Sequence, residues 1–167
     1  MLDLETLSTR NNAAIAAIGA VIFDEQNIIN RFEAYLDLRL VPGHRDLETL
    51  DWWGKQDPAV RAKVFSGSED PWKAISRFSL WMMTHKPHEV WANSPAFDCV
   101  ILRNLCESIG RTAPWNFREE RDFRSLTSLA KSKGISYSKA YENIVKHDPL
   151  SDAYAQANAI QIILPEL

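Results

Sequence analysis

The feature that most constrains this chain is an unbroken apolar run, Ala14 to Phe23, closed by the polar stretch Asp24 to Asn27. Beyond it, Ile28 to Leu38 alternates apolar and polar residues. Two such segments joined by four polar residues predict an antiparallel β-hairpin. Ahead of it, Met1 to Thr6 is short and apolar with two acids, and Ser8 to Asn12 reads as a polar turn. The first 40 residues are therefore expected to be β-structure.

After Pro42-Gly43 the period changes. Asp46 to Gln56 and Pro58 to Phe65 read as short helices started by an acid or a proline. Ser66 to Asp70 is a loop. Pro71 then opens a helix to Thr84, with Trp72, Ile75, Phe78, Ser79 and Met82 at i, i+3, i+4 spacing. Glu89 to Ala92 is a candidate strand, followed by a turn over Asn93 to Ala96 and a helix from Phe97 to Ile109. A short strand is expected around Asp122-Phe123, a helix over Ser125 to Lys133, and a last helix from Asp148-Pro149 to Ile163. Strands first, then helices alternating with short strands, predict an α/β fold with a mixed sheet.

Composition narrows the class. With 167 residues, 46% hydrophobic and 25% charged, the chain is expected to be one domain over residues 1–167 and not a disordered polypeptide. No apolar run approaches the roughly 18 residues of a membrane helix, and Asp3 and Glu5 stand where a signal peptide would be basic and then apolar. Cys99 and Cys106 form no CxxC pair; their i,i+7 spacing reads as two small core residues on one helix face. A cytoplasmic protein is expected. The formal net charge of −3 argues against a generic nucleic-acid coater.

Several acids invite a chemical reading. Asp3 and Glu5 lie two apart on a strand, so both carboxylates leave one face while Leu2 and Leu4 leave the other. Alone, such a pair is more often an exposed strand face. Asp98 opens an apolar helix, where a lone Asp is most often an N-cap. In HDPLSD, Asp148 and Pro149 make a good N-cap and N1 pair, which places Asp152 in the first turn and His147 just outside. Each feature by itself has an ordinary structural explanation.

Together and in this order, a DxE on the first strand, an Asp at a middle helix and HxxxxD at the last helix resemble the DnaQ-like 3′–5′ exonucleases, DEDDh subgroup, of the ribonuclease H-like fold. Asp3-Leu4-Glu5-Thr6-Leu7, Asn12-Ala13-Ala14-Ile15, Ile18-Gly19-Ala20-Val21, Trp52-Trp53, Asn93 to Leu102, Trp115 and Arg121-Asp122-Phe123-Arg124 are similar to a small bacterial and phage 3′–5′ exoribonuclease branch. The resemblance spans essentially the whole chain. It implies a ribonuclease H-like fold with a central mixed five-stranded sheet flanked by helices.

The resemblance also implies a chemistry. Phosphodiester hydrolysis needs an activated water, charge neutralisation and a stabilised leaving oxygen, which two hard cations about 4 Å apart supply. Asp3, Glu5, Asp98 and Asp152 would hold them; two Mg²⁺ ions are expected, with Mn²⁺ able to substitute. His147 would be the general base, since an imidazole titrating near about 6.5 suits a proton transfer at neutral pH. Thr6, Leu7, Trp53 and Arg121 are the expected substrate-binding residues. His44, His85 and His88 are given no role.

The expected substrate is a single-stranded RNA 3′ end, cut to nucleoside 5′-monophosphates. Action chiefly on DNA, or a catalytically weak nucleotide- or RNA-binding relative, are the competing readings. A homodimer is a further expectation from the resemblance. The family pattern has more strand ahead of Asp3, so either the strand is short or residues before Met1 are missing; Leu164-Pro165-Glu166-Leu167 likewise reads as a curtailed last helix. Ser94 stands where glycine is expected, and Pro149 where small residues are common. Residues 103–147 carry nine basic and five acidic side chains, a net of +4 within an acidic chain. Two divalent cations would neutralise four of the acids outside that stretch.

Overall fold

The hairpin read from the apolar run is the spine of the fold in the computed structural model, which describes residues 1–167. Strands β1 (Leu2–Thr6), β2 (Ile15–Phe23) and β3 (Ile28–Tyr35) pair antiparallel in sequence order. Two short strands, β4 (Val90–Ala92) and β5 (Glu120–Asp122), extend the other edge in parallel, giving the order β3-β2-β1-β4-β5. The mixed five-stranded sheet of the ribonuclease H-like fold is thus present, with β1 at its centre.

Six helices cover the sheet: α1 (Leu47–Gly54), α2 (Pro58–Phe65), α3 (Pro71–His85), α4 (Asp98–Ser108), α5 (Phe123–Ser132) and α6 (Pro149–Ile163). Five of them begin at an Asp N-cap whose carboxylate accepts a backbone N–H of the first turn: Asp46, Asp57, Asp70, Asp122 and Asp148. Proline at N1 of α2, α3 and α6 removes a donor that has no intrahelical partner anyway. The exception is α4, where Phe97 holds the N-cap position and makes no side-chain cap. Asp98, the expected cap, is used elsewhere. No helix is long and apolar enough to cross a membrane.

Alternation along β1 sorts the two layers. Leu2 and Leu4 enter the larger core with Ile75 and Phe78 of α3 and Ile101, Leu102 and Leu105 of α4. Cys99 and Cys106 are buried in that same core. The opposite face belongs to α5 and α6, whose Phe123, Ala153, Ala157 and Ile160 pack on Met1 and Val21. Asp3 and Glu5 point into this second layer. The buried alanines of α6, Ala153, Ala155, Ala157 and Ala159, let the helix lie close to the sheet. Gly19, which pairs with Asp3, completes the approach: a Cβ there would stand 2.2 Å from the carbonyl carbon of Pro149.

Candidate active site

The close seating of α6 brings its first turn over β1. Asp3 and Glu5 arrive from the strand, Asp152 from the helix, and His147 from the residue before the cap. Glu5, His147 and Asp152 each offer a ligand atom within 4.8 Å of the others. His147 has φ 64, a left-handed conformation that only a minority of non-glycine residues adopt. Its backbone N–H donates to Asp152 Oδ2 at 2.8 Å, so one short loop fixes both residues.

Asp98 joins from the other edge. Strand β4 pairs with β1 only at Leu2↔Ala92, after which the two diverge. Into that gap comes the carboxylate: Leu4 N donates to Asp98 Oδ1 at 3.2 Å, and Ser94 N reaches Oδ2 at 3.4 Å. The serine that replaces an expected glycine therefore contributes its backbone to the site. Asp3 Oδ1 accepts from Gln156 Nε2 at 2.9 Å, a contact between residues 153 positions apart.

Burial acts on all four acids, and mutual repulsion adds to it at Asp3 and Glu5. Burial, then repulsion from Asp98 and Asp152, raises the Asp3 pKa well above the usual carboxylate range. Burial, then Asp3, Asp152 and Asp98, pushes Glu5 up to about 10. Burial raises Asp98 to about 6 against the N–H groups of Ser94 and Leu4 that favour its charge, and Arg124 also favours it. Asp152 is raised by burial, with the His147 N–H opposing. A set of hard, anionic oxygens held together at this cost fits divalent cations, whose charge removes the repulsion. The residues present therefore suit the divalent metal that the resemblance implies.

A second carboxylate network braces the site from behind. Asp148 Oδ1 caps α6 at Ser151 N, 3.0 Å, while Oδ2 accepts from Lys63 Nζ of α2 and from the Tyr35 hydroxyl at 3.2 Å. The Lys63 ammonium also lies 5.0 Å from the centroid of the Tyr35 ring. Burial alone would raise the Asp148 pKa; the Lys63 ammonium and the Ser151 N–H outweigh it and leave that pKa lowered. On the same side, the Trp52 ring meets the His147 imidazole edge-to-face at 4.8 Å.

The expected substrate-binding residues are placed differently. Trp53 is only 1% exposed, and its Nε1 donates to Thr6 O at 2.9 Å. It is a wall of the core, not a stacking surface; its neighbour Trp52, 40% exposed, is the tryptophan that faces out beside His147. Leu7 is buried, and Thr6 is buried with its hydroxyl donating to Ser8 O at 2.8 Å. Arg121 donates to Glu89 at 2.9 Å and to the carbonyls of Arg118 and Glu120. Asp122 does not pair with it but caps α5 at Ser125. Arg124, within the same motif, is the arginine whose charge reaches Asp98. His44 lies outside the cluster, hydrogen-bonded to Ser8.

Sequence reasoning missed Gln156, Lys63, Tyr35 and Trp52. The only signal available for Gln156 was its position one turn after Asp152, on the same helix face.

A ribonuclease H-like sheet that gathers acids at its central strand is the arrangement on which the family assignment falls. The chain belongs to the 3′–5′ exoribonuclease Rv2179c-like domain family, whose model matches residues 1–164. Two solved structures of exonuclease I share the fold. One, described in terms of how processivity is achieved, superimposes with a TM-score of 0.65 at 17% identity over 99% of this chain and 41% of its own. The other, a zinc-bound E. coli exonuclease I complex with single-stranded DNA, gives 0.64 at 14% identity over 99% and 40%. This chain thus spans about two fifths of those proteins. No curated protein matches it in sequence.

Proposed function

We propose that the protein is an Mg²⁺-dependent 3′–5′ exoribonuclease that releases nucleoside 5′-monophosphates from single-stranded ends. The observation that carries this reading is the convergence of Asp3, Glu5, Asp98 and Asp152 with His147 at one end of α6. The four carboxylates would hold two Mg²⁺ ions, with Mn²⁺ able to replace them. When bound, the cations supply charge neutralisation at the phosphate and at the departing oxygen.

The chain's own part is to position and to move a proton. His147 takes a proton from the water that attacks the terminal phosphorus. A P–O bond forms, the bond to the O3′ of the preceding nucleotide breaks, and that oxygen leaves with a proton as the new 3′-hydroxyl. The left-handed backbone of His147 and its N–H bond to Asp152 fix where the imidazole can reach. Trp52 packs against the ring and limits its rotation, while its exposed face offers a sequence-tolerant surface for a base. Arg124 brings positive charge toward the phosphate.

DNA is the second reading, favoured by the likeness to an exonuclease I seen with single-stranded DNA. The test is to incubate the protein with 3′- and 5′-labelled single-stranded RNA and DNA, with Mg²⁺ or with chelator. Immediate mononucleotide release from 3′-labelled RNA, abolished by chelator, is expected. Equal loss of DNA transfers the activity to the second reading, and tight binding without product refutes both.

A further inference from the structure

Of all the buried side-chain nitrogen and oxygen atoms in the molecule, one has no hydrogen-bond partner: Gln156 Oε1. Gln156 is 7% exposed and lies on α6 one turn beyond Asp152. Its Nε2 holds Asp3 Oδ1 at 2.9 Å, so the orphan oxygen is tethered to the acid cluster by its own amide. A primary amide offers an acceptor with two lone pairs and a donor group from atoms bonded to one carbon. Burying the acceptor unpaired is costly, and buried polar atoms are nearly always satisfied. The same position filled by Leu or Met would pack against the alanines of α6 without that cost.

We infer that Gln156 is a positioning residue of the cation site: its Nε2 orients Asp3, and its Oε1 accepts a hydrogen bond from the hydration water of a divalent cation held by the carboxylates. This rests on the proposed cation-dependent reading and adds to it a sixth protein group, neutral and outside the acid set. The alternative, that Gln156 merely ties α6 to β1, explains the Nε2 contact but leaves the oxygen unexplained. Groups that orient metal ligands from behind are worth about 10–100-fold in metal affinity.

The two explanations separate on cation affinity. Gln156→Leu and Gln156→Met are compared with the wild type by thermal melting in chelator and by calorimetric titration with Mg²⁺ and Mn²⁺. With chelator present, both variants should melt close to the wild-type temperature, because losing the unsatisfied oxygen offsets losing the Nε2 bond to Asp3. Their cation affinity should be weaker by about tenfold or more. Unchanged affinity overturns the inference, with or without a lower melting temperature. Absence of any cation binding by the wild type overturns it together with the reading beneath it, whereas wild-type binding with variant affinity unchanged overturns the inference alone. A measurement on the intact protein keeps the test open if both variants fail to fold. In glutamine-labelled protein, the Gln156 side-chain amide signal should shift on adding Mg²⁺, while those of the outlying Gln26 and Gln161 stay; an unmoved Gln156 signal rejects the role.

Discussion

Gly19 and Pro149 meet backbone to backbone: the space a Gly19 side chain would need is filled by the carbonyl carbon and oxygen of Pro149, each 2.2 Å from an ideal Cβ. Gly19 pairs with Asp3 on β1, and Pro149 is the first residue of α6. The missing side chain therefore sets the height of the helix that carries Asp152 above the strand that carries Asp3 and Glu5.

Gly19→Ala should then act on the site without altering any of its chemical groups. The backbone of α6 cannot yield as a flexible side chain would, so overpacking should cost roughly 1–3 kcal/mol. Denaturant unfolding reads this loss, and nucleotide release should fall with it. A variant with wild-type stability and rate would show that the helix height is not set here.

His147→Ala removes the proposed base and leaves the four carboxylates in place. Turnover should fall by about 10²–10⁴-fold, the usual contribution of general acid–base catalysis. Mg²⁺ affinity measured by calorimetry should change little. A full-rate variant would exclude His147 from the proton transfer.

The acid cluster gives the cation-free protein a distinctive pH response. Glu5 is raised to about 10 and Asp98 to about 6 in the folded state, above their ordinary 4.5 and 3.8. The folded chain then binds these protons more tightly than the unfolded chain, so stability falls as pH rises through that window. In chelator the melting temperature should drop between pH 5 and pH 8, where the raised Asp3 and Glu5 outweigh the buried Met1 ammonium, which is lowered to about 5 and acts in the opposite sense. Mg²⁺ should raise it more at pH 8 than at pH 5, because fewer protons compete for the carboxylates. Stability that climbs with pH in chelator would contradict the buried cluster.

Asp148 behaves in the opposite sense. Its lowered folded pKa contributes stability above the unfolded value of 3.8 and loses it as pH falls through the folded one. Lys63→Met removes the ammonium that holds it down, leaving the Asp148 carboxylate with Ser151 and Tyr35. Half of the Lys63 side chain is exposed, so the loss at neutral pH should be only about 1 kcal/mol. The difference between variant and wild type should shrink on going from pH 7 to pH 3, as urea unfolding at the two values would show. A difference that does not depend on pH would mean that Lys63 acts by packing alone.

Much of the architecture was legible because local rules and tertiary demands agree. The hairpin followed from the apolar run, and Asp-Pro pairs marked the starts of α2, α3 and α6. The order of acids pointed to the cluster because each sits at a predictable place on its element. Other relationships lay beyond the reach of a linear reading. Trp52 and Trp53 are adjacent, yet a helix turns them about 100° apart, and only the packing of α1 decides which one is buried. The contacts Gln156–Asp3 and Lys63–Asp148 join elements that meet only after the sheet is covered. Arg121 was expected at substrate, and its pairing with Glu89, 32 residues away, was not legible in the sequence.

The carboxylate of Asp98 takes a hydrogen bond that a neighbouring strand's carbonyl would otherwise accept from Leu4. It is thereby both a proposed cation ligand and a prosthetic piece of β4. Truncating it to alanine strips a donor inside the central strand of its acceptor, and a lost activity would then mix two injuries. Asparagine keeps an acceptor for the Leu4 N–H while discarding the charge, so Asp98→Asn is the substitution that asks about chemistry alone.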